Sequence, residues 1–245
     1  FLVGTGVTIG VAGIATFRTG RIDVGDALLN TSIGELAGDS HTTGDKNVAV
    51  GYAALTANTT GSSNTAVGRE ALLVNTTGTK NTAIGNNALD ANTTGGNNIS
   101  VGSGSLGANT TGDDNTAIGF NALNANTTAS DNTAVGYKAL AANTTGAENV
   151  SIGVNSLLVS TTGSYNTAVG YAALDANTTA SHNTAVGQAA LSQNTTGQYN
   201  TAVGRLALNA NTTADSNVAV GYNALLVNTT GTYNVSVGGY SLDAN

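Results

Sequence analysis

The chain of 245 residues contains no cysteine, proline, methionine or tryptophan, and only 9% of its residues are charged. Without cysteine it can form no disulfide, no thiolate zinc site and no cysteine nucleophile. Its seven Lys and Arg are dispersed and its net charge is −7, which excludes a basic surface that follows phosphates, so no nucleic-acid partner is expected. The apolar runs are only a few residues long, and no membrane insertion is expected.

What the sequence has instead is a repeat of 17 residues. The consensus N-[TV]-[AS]-[VI]-G-x-x-[AS]-L-x-[AV]-N-T-T-[GA]-x-x begins at Asn30 and recurs thirteen times without insertion or deletion, with the last copy truncated. Residues are assigned below to positions 1 to 17 of this consensus. Helical repeats need about 33 residues to hold two helices, so the period excludes them. The Asn, Thr and Gly content also disfavours helix.

Each repeat contains two short extended segments. Positions 1 to 5 are typical of a strand closed by a glycine turn, and a second extended segment follows from position 8. One coil per repeat predicts an all-β parallel β-solenoid, or β-roll, over residues 30–245, with strands stacked about 4.8 Å apart in a rod on the order of 60 Å long. The turn is assigned to the glycines at position 5, such as Gly68, Gly85 and Gly102.

Residues 1–29 lack the repeat and consist of short apolar stretches broken by glycine. They are predicted to be a β segment that connects or caps the solenoid, because an open solenoid end must be covered against edge pairing. Since the sequence starts at Phe1 and stops within a repeat, we expect it to be a fragment of a longer polypeptide.

Several positions of the repeat are invariant and polar. Position 1 is Asn in every copy, and positions 13 and 14 are Thr in every complete copy. Stacked identical side chains of this kind are predicted to form hydrogen-bonded ladders, as in cross-β stacks. Representative ladder residues are Asn64, Asn81, Asn98, Thr76 and Thr93.

The apolar positions suggest a thin core. Position 4, as in Val67 and Ile84, and position 9, as in Leu72 and Leu89, are expected to point inward. Positions 3 and 8 are only Ala or Ser, and such small columns suit the close approach of another backbone. We therefore expect several identical chains to associate side by side along the rod.

The first half of the repeat resembles part of a known repeat. The resemblance is carried by residues 64–68 (NTAVG) and 149–153 (NVSIG) and by the small residue at position 8. That repeat forms the left-handed parallel β-roll in the heads of YadA-like trimeric adhesins. The longer form N-T-A-x-G-x-x-A-L-x-x-N-T-T-G is similar to arrays in phage tail fibres. Both families imply a homotrimer, borne on a virion or otherwise extracellular or at a cell surface.

The resemblance implies a non-catalytic fibre shaft that joins other fibre segments and extends a receptor-binding tip toward a host surface. Two alternatives remain open, a trimeric bacterial surface adhesin head and a self-assembling extracellular filament. A third is an ice-binding solenoid, whose flat face would be N-x-T, since Thr93 and Thr94 are adjacent and alternate between faces.

No catalytic constellation is found, and the chain is predicted not to be an enzyme. Its two histidines, His41 and His182, lie about eight repeats apart, which is roughly 40 Å along the rod, so they cannot share a site. A Ser/His/Asp triad needs its groups within hydrogen-bond reach, and phosphate-loop, zinc-protease and EF-hand motifs are missing. A depolymerase that cleaves surface glycans would need an acid pair in a groove.

Acidic residues follow one another at position 17. Asp114, Asp131 and Glu148 occupy this position in consecutive coils, and Asp113 stands beside them. Like charges about 5 Å apart repel unless they are solvated or bridged, so the column is either a solvated edge or a calcium site. No other cofactor is expected.

Aromatic residues also occur in rows. Tyr165 and Tyr199 belong to position 17, and Phe120 and Tyr137 occupy position 6 in adjacent coils. Exposed rings in rows can stack on the sugars of a host-surface glycan, or they can cover turns and the seam between chains. The sequence leaves both interpretations open.

Overall fold

A computed structural model describes residues 28–243, and there the predicted parallel β-solenoid of 17-residue coils is confirmed. One three-residue strand per coil adds to a single parallel sheet whose order follows the chain. No helix occurs in the described part, so no helix there could cross a membrane. The thirteen strands are β1 (Thr31–Ile33), β2 (Val48–Val50), β3 (Thr65–Val67), β4 (Thr82–Ile84), β5 (Ile99–Val101), β6 (Thr116–Ile118), β7 (Thr133–Val135), β8 (Val150–Ile152), β9 (Thr167–Val169), β10 (Thr184–Val186), β11 (Thr201–Val203), β12 (Val218–Val220) and β13 (Val235–Val237).

Glycine at position 5 ends each strand, where a sharp turn leaves no room for a side chain. Gly68 has a φ of 136° and Gly85 a φ of 137°, a region that L side chains rarely adopt. A Cβ on Gly68 would also lie 2.4 Å from the carbonyl oxygen of Gly85 in the next coil. Gly102 has the same conformation, so the three glycines assigned to the turn from the sequence lie at it.

The inward face of the strand is position 3, and the prediction for position 4 is wrong. Ala66 and Ala83 are fully buried, whereas Val67 is half-buried and Ile84 is 41% exposed. Position 9 is inward as predicted, since Leu72 and the other leucines of its column, except the one in the last coil, are completely buried. The coil is too thin to admit a β-branched side chain between the strand and the segment that faces it.

The small columns at positions 3 and 8 face each other inside one chain. Their contact is visible where both are serine, because Ser100 Oγ lies 2.5 Å from Ser105 Oγ and Ser151 Oγ lies 2.5 Å from Ser156 Oγ. The alanines at these positions form the hydrophobic core together with leucine. The expected close approach of another chain at these columns is therefore wrong, since no second chain can reach them.

Positions 7, 9 and 17 of each coil also lie in the left-handed region, and in all complete coils but those with Gly38 and Gly104 none of the three is glycine. In one coil these are Glu70, Leu72 and Lys80, with φ values of 58°, 51° and 59°. Each such residue costs roughly 1–2 kcal/mol. Backbone hydrogen bonds between coils hold them, such as Leu72 N–H to the Ala88 carbonyl at 3.1 Å and Lys80 N–H to the Ser62 carbonyl at 3.0 Å.

The segment 1–29 that the sequence assigns to a cap or connector lies outside the described residues except for its last two. Leu28 already stacks as a coil residue, because its carbonyl accepts the N–H of Lys46 at 3.0 Å. Leu29 has the left-handed φ of 63° that is found at position 17. The coil geometry thus begins at least two residues before Asn30.

Candidate functional site

The asparagines of position 1 form a buried ladder along the rod. Asn81 N–H donates to Asn64 Oδ1 at 2.9 Å, and Asn98 N–H donates to Asn81 Oδ1 at 3.0 Å. The side-chain amide also crosses its own coil, as when Asn64 Nδ2 donates to the Gly78 carbonyl at 2.8 Å. The oxygen of an asparagine in this ladder therefore joins adjacent coils, and its nitrogen closes its own coil in every complete coil except that of Asn217.

A second buried ladder runs along position 12 and meets the first. Asn75 Nδ2 donates to Asn58 Oδ1 at 2.8 Å in the preceding coil, and also to the Gly78 carbonyl at 3.1 Å. The Gly78 carbonyl thus accepts from two amides, since Asn64 donates to it as well. Because both amides are fully buried, replacing either would leave polar groups without partners.

The position 12 ladder is interrupted at Ser160. A serine hydroxyl cannot reach as far as an amide, and Asn143 Oδ1, which would accept from this rung, is buried without a hydrogen-bond partner. On the other side Asn177 Nδ2 reaches Ser160 Oγ only at 3.4 Å. The structure therefore contains one defined weak rung near its middle.

The two invariant threonines play different parts. At position 13 the hydroxyl is half-buried and bonds the next coil, as Thr76 Oγ1 does to the Thr93 carbonyl and Thr93 Oγ1 to the Thr110 carbonyl, both at 3.0 Å. At position 14, as in Thr77, the side chain is exposed in every coil. Since Asn of position 12 is buried, the N-x-T face considered for ice binding does not form on the surface.

The outer face of the sheet carries positions 2 and 4. No charged residue occurs in either column, and position 4 is apolar in all thirteen strands. Apart from Val237 in the last coil, its isoleucines are the more exposed members, with Ile118 and Ile152 each 40% exposed. Sequence reasoning missed this surface because it assigned position 4 to the core.

The four acidic residues considered for calcium lie in adjacent coils but do not form a group that could hold a metal ion. Asp113 Oδ1 accepts the N–H of Gly96 at 2.6 Å, and the Glu148 carboxylate is directed at the Tyr165 hydroxyl. That hydrogen bond, reinforced by the negative charge of Glu148, raises the pKa of Tyr165 above its usual value. Asp114 and Asp131 lie in exposed turns, and within residues 28–243 no group of three or more potential ligands is placed to hold a metal ion.

The aromatic residues stack along the rod on one another. Phe120 and Tyr137 have ring centroids 5.6 Å apart and planes 11° from parallel. At position 17, His182 lies between Tyr165 and Tyr199, at centroid distances of 4.9 and 5.0 Å and interplanar angles of 4° and 7°. The faces considered for sugar contact are therefore partly covered by neighbouring rings, and only the outer ends of each stack present a free face.

Comparison of the chain with protein-family models, with curated proteins and with solved structures finds no match. The class that the fold defines is a parallel β-solenoid with one strand per 17-residue coil. Its function is inferred below from the surfaces of that solenoid.

Proposed function

We propose that this chain is a rigid, non-catalytic shaft of an extracellular fibre, of the kind found in phage tail fibres, which associates with identical chains as a homotrimer. The observation that carries the proposal is the outer face of the sheet. Position 4 presents thirteen β-branched apolar side chains in one straight column: Ile33, Val50, Val67, Ile84, Val101, Ile118, Val135, Ile152, Val169, Val186, Val203, Val220 and Val237.

The size of this face favours a protein partner. Thirteen strands spaced about 4.8 Å apart make a strip about 58 Å long, and two outward columns about 7 Å apart give it an area on the order of 400 Å². The strip carries no charge, its position 2 is threonine in eight strands, and its size is one at which an exposed patch with many apolar side chains often marks an interaction surface. A second copy of the chain has the same period and no charge on this face, so its columns match coil by coil. Two parts of the proposal, the association of three chains and the left-handed coil, rest on the resemblance to trimeric fibre proteins.

The threonines of position 14 support a partner outside the chain. They are exposed and invariant in twelve coils, yet their hydroxyls make no hydrogen bond to the described residues. Positions 6, 7, 10, 16 and 17 vary freely from coil to coil, so the copies have had the opportunity to diverge. A threonine that is retained without a partner in its own chain is most simply explained by a contact with another molecule.

A mechanical role also fits the interior. The position 1 asparagine ladder and the threonine ladder run along the rod, and the position 12 ladder joins the coils on either side of Ser160, so a load is shared among neighbouring coils. A depression at the last complete coil is lined only by residues without an ionisable side chain. These residues are Val227, Asn228, Thr229, Thr230, Gly231, Thr232 and Asn234. These features are those of a spacer, and they support a non-catalytic role on the outside of a virion or cell.

Light scattering coupled to size exclusion tests the proposal. We expect a mass of three chains of 24.0 kDa for the natural sequence. Val169→Lys, which places a charge in the middle of the apolar strip, is expected to release monomers that retain the β spectrum in circular dichroism. The matched control is Gln188→Lys, at a position where Arg69 and Arg205 occur naturally, and it should leave the trimer intact. A natural chain that remains monomeric would overturn the proposal.

A further inference from the structure

Three aromatic residues at position 17 form a stack in which a histidine occupies the space between two tyrosines that are two coils apart. His182 lies between Tyr165 and Tyr199 with nearly parallel planes, at 4.9 and 5.0 Å from the two ring centroids. All three residues have the same left-handed backbone, with φ between 58° and 62°. The column therefore holds one ring per coil when each coil supplies one.

Beyond the trio the column continues, but one ring is missing. Tyr233 is again a tyrosine two coils from Tyr199, and the residue between them is Ser216. The backbone does not change, since Ser216 and Tyr233 both have a φ of 59°, and Ser216 N–H bonds the Gln198 carbonyl at 3.0 Å as this position does elsewhere. Tyr233 is 80% exposed and Tyr199 is 59% exposed. The backbone at the gap thus matches that of the filled site, with serine in place of the ring-bearing residue.

The dimensions of the gap favour a puckered ring over a flat one. Two coils span about 9.6 Å, which leaves about 4.8 Å between a central ring and each tyrosine. Carbon atoms of flat rings in direct face-to-face contact prefer about 3.5–4.0 Å. A pyranose chair carries hydrogens above and below its mean plane and fills the larger distance on both sides. In the trio the flat ring of His182 occupies the equivalent spacing, with its centroid 4.9 and 5.0 Å from those of its neighbours.

The surroundings of the gap are polar at the ring edge, as a sugar requires. Ser216 supplies a hydroxyl at its floor, and position 16 of the flanking coils supplies Gln198, Asp215 and Thr232. The Asp215 carboxylate is already fixed there, because its Oδ1 accepts the N–H of Gln198 at 2.6 Å. An aromatic residue on each side and hydrogen-bonding groups at the edge are the chemistry that recognises a pyranose.

We propose that the gap between Tyr199 and Tyr233, over Ser216, is a binding slot for one pyranose ring of a surface glycan. The slot lies on a single chain and completes the aromatic column with the ligand's ring. It adds a recognition role to the proposed shaft and does not depend on the number of chains in the fibre.

Saturation-transfer NMR with millimolar methyl β-D-glucopyranoside and methyl β-D-galactopyranoside tests the slot, with indole as a flat aromatic probe. We expect transfer from the protein to the ring hydrogens of at least one of the two sugars. Ser216→Tyr fills the gap with the chain's own ring at a backbone position that already carries tyrosine, and it should abolish the transfer. Ser216→Ala keeps the gap open and should retain it. Tyr233→Ser removes one wall and should weaken binding about two- to tenfold, the contribution of one ring contact.

The matched control for loss of a tyrosine is Tyr171→Ser, which removes an exposed ring outside this column and should leave sugar binding unchanged. Circular dichroism and thermal unfolding establish that each variant is folded. The proposal is overturned if neither sugar responds, if Ser216→Tyr binds as well as the natural chain, or if only indole binds. A chain that is monomeric in light scattering but binds sugar through this slot would contradict the proposed trimer and leave the slot intact.

Discussion

Among individual residues, Ser160 has the clearest consequence for stability. It interrupts a ladder of buried amides and leaves Asn143 Oδ1 without a donor. A buried acceptor without a partner costs about 1–3 kcal/mol. We expect Ser160→Asn to complete the ladder and to raise the free energy of unfolding by about 1–2 kcal/mol. Thermal or urea unfolding followed by circular dichroism measures this change.

The reverse change in an intact rung is the control. Asn126 donates to Asn109 Oδ1 at 2.9 Å and to the Ala129 carbonyl at 2.9 Å, and it accepts from Asn143 Nδ2 at 3.0 Å. Asn126→Ser should therefore lower the free energy of unfolding by a similar amount. If both substitutions change stability in the same direction, the ladder does not contribute as the geometry indicates.

Asp175 is a second residue at which the natural side chain is not the most stable one. Burial raises its pKa above the usual range of a carboxyl group. The folded state therefore binds this proton more tightly than the unfolded state does, so stability falls as the pH rises through the raised pKa. At the same position of other coils, Asn124 Nδ2 and Asn209 Nδ2 each donate to a carbonyl of the preceding coil, at 2.7 and 3.0 Å.

We therefore expect Asp175→Asn to raise the melting temperature at neutral pH, because it removes a half-buried charge and gives a donor for the Asn155 carbonyl. The advantage should shrink as the pH falls below the usual pKa of aspartate, where Asp175 is protonated in both states. Asp90→Asn is the control, since the Asp90 carboxylate already accepts from Asn87 Nδ2 at 2.8 Å, and it should give no increase. An advantage of Asp175→Asn that is independent of pH would rule out the electrostatic part of this account.

At the scale of the coil, the turn after the strand is the most sensitive element. Gly136 has a φ of 138°, and a Cβ there would lie 2.4 Å from the Gly153 carbonyl oxygen. Gly136→Ala is expected to lower the free energy of unfolding by at least ~2 kcal/mol, because both the backbone and the neighbouring coil must shift. Chemical denaturation measures the loss.

A different glycine provides the comparison for Gly136→Ala. Gly96 has no left-handed φ, and its position is occupied by Ala147 in another coil. Gly96→Ala should change stability by less than about 1 kcal/mol. Equal losses for the two variants would mean that glycine is required for a reason other than this turn.

The strand of each coil shows which features of the coil can be predicted from the sequence and which cannot. Alternation of period 2 and the glycine turn follow directly from the residues T-A-V-G, and both are present. The choice of the inward face was wrong because hydrophobicity alone favours Val67 over Ala66. The width of the coil determines which face of the strand points inward. That width depends on the path of all 17 residues of the repeat. A usable signal was the joint occurrence of serine at positions 3 and 8, as in Ser100 with Ser105.

For the molecule as a whole, a strict period predicts architecture much better than it predicts function. The ladders could be located from invariant Asn64 and Thr76, because identical side chains at identical positions must meet in a solenoid. The stacking of His182 between two tyrosines could not be predicted from the sequence, since it depends on side-chain orientation in a turn. The varied columns carry the differences along the rod, and these differences are where recognition must be sought.

Register between coils, and not the identity of any one coil, should hold the rod together. Removing residues 115–131 deletes one complete coil and joins position 17 of one repeat to position 1 of another. We expect this chain to remain folded, with a slightly lower melting temperature, and to be shorter by about 4.8 Å in small-angle scattering. Every ladder can re-form across the junction, for example from Asn132 N–H to Asn98 Oδ1, because all partners recur with the same spacing of 17 residues.

Removing residues 115–130 takes away one residue fewer and leaves an extra residue at the junction. The asparagine and backbone ladders on the two sides then cannot match, and a shift by one residue would also exchange the inner and outer faces of the following strands. We expect this variant to lose cooperative unfolding or to melt at a much lower temperature than the shorter chain. If it is as stable as the chain that lacks a complete coil, local sequence and not register between neighbours stabilises the rod.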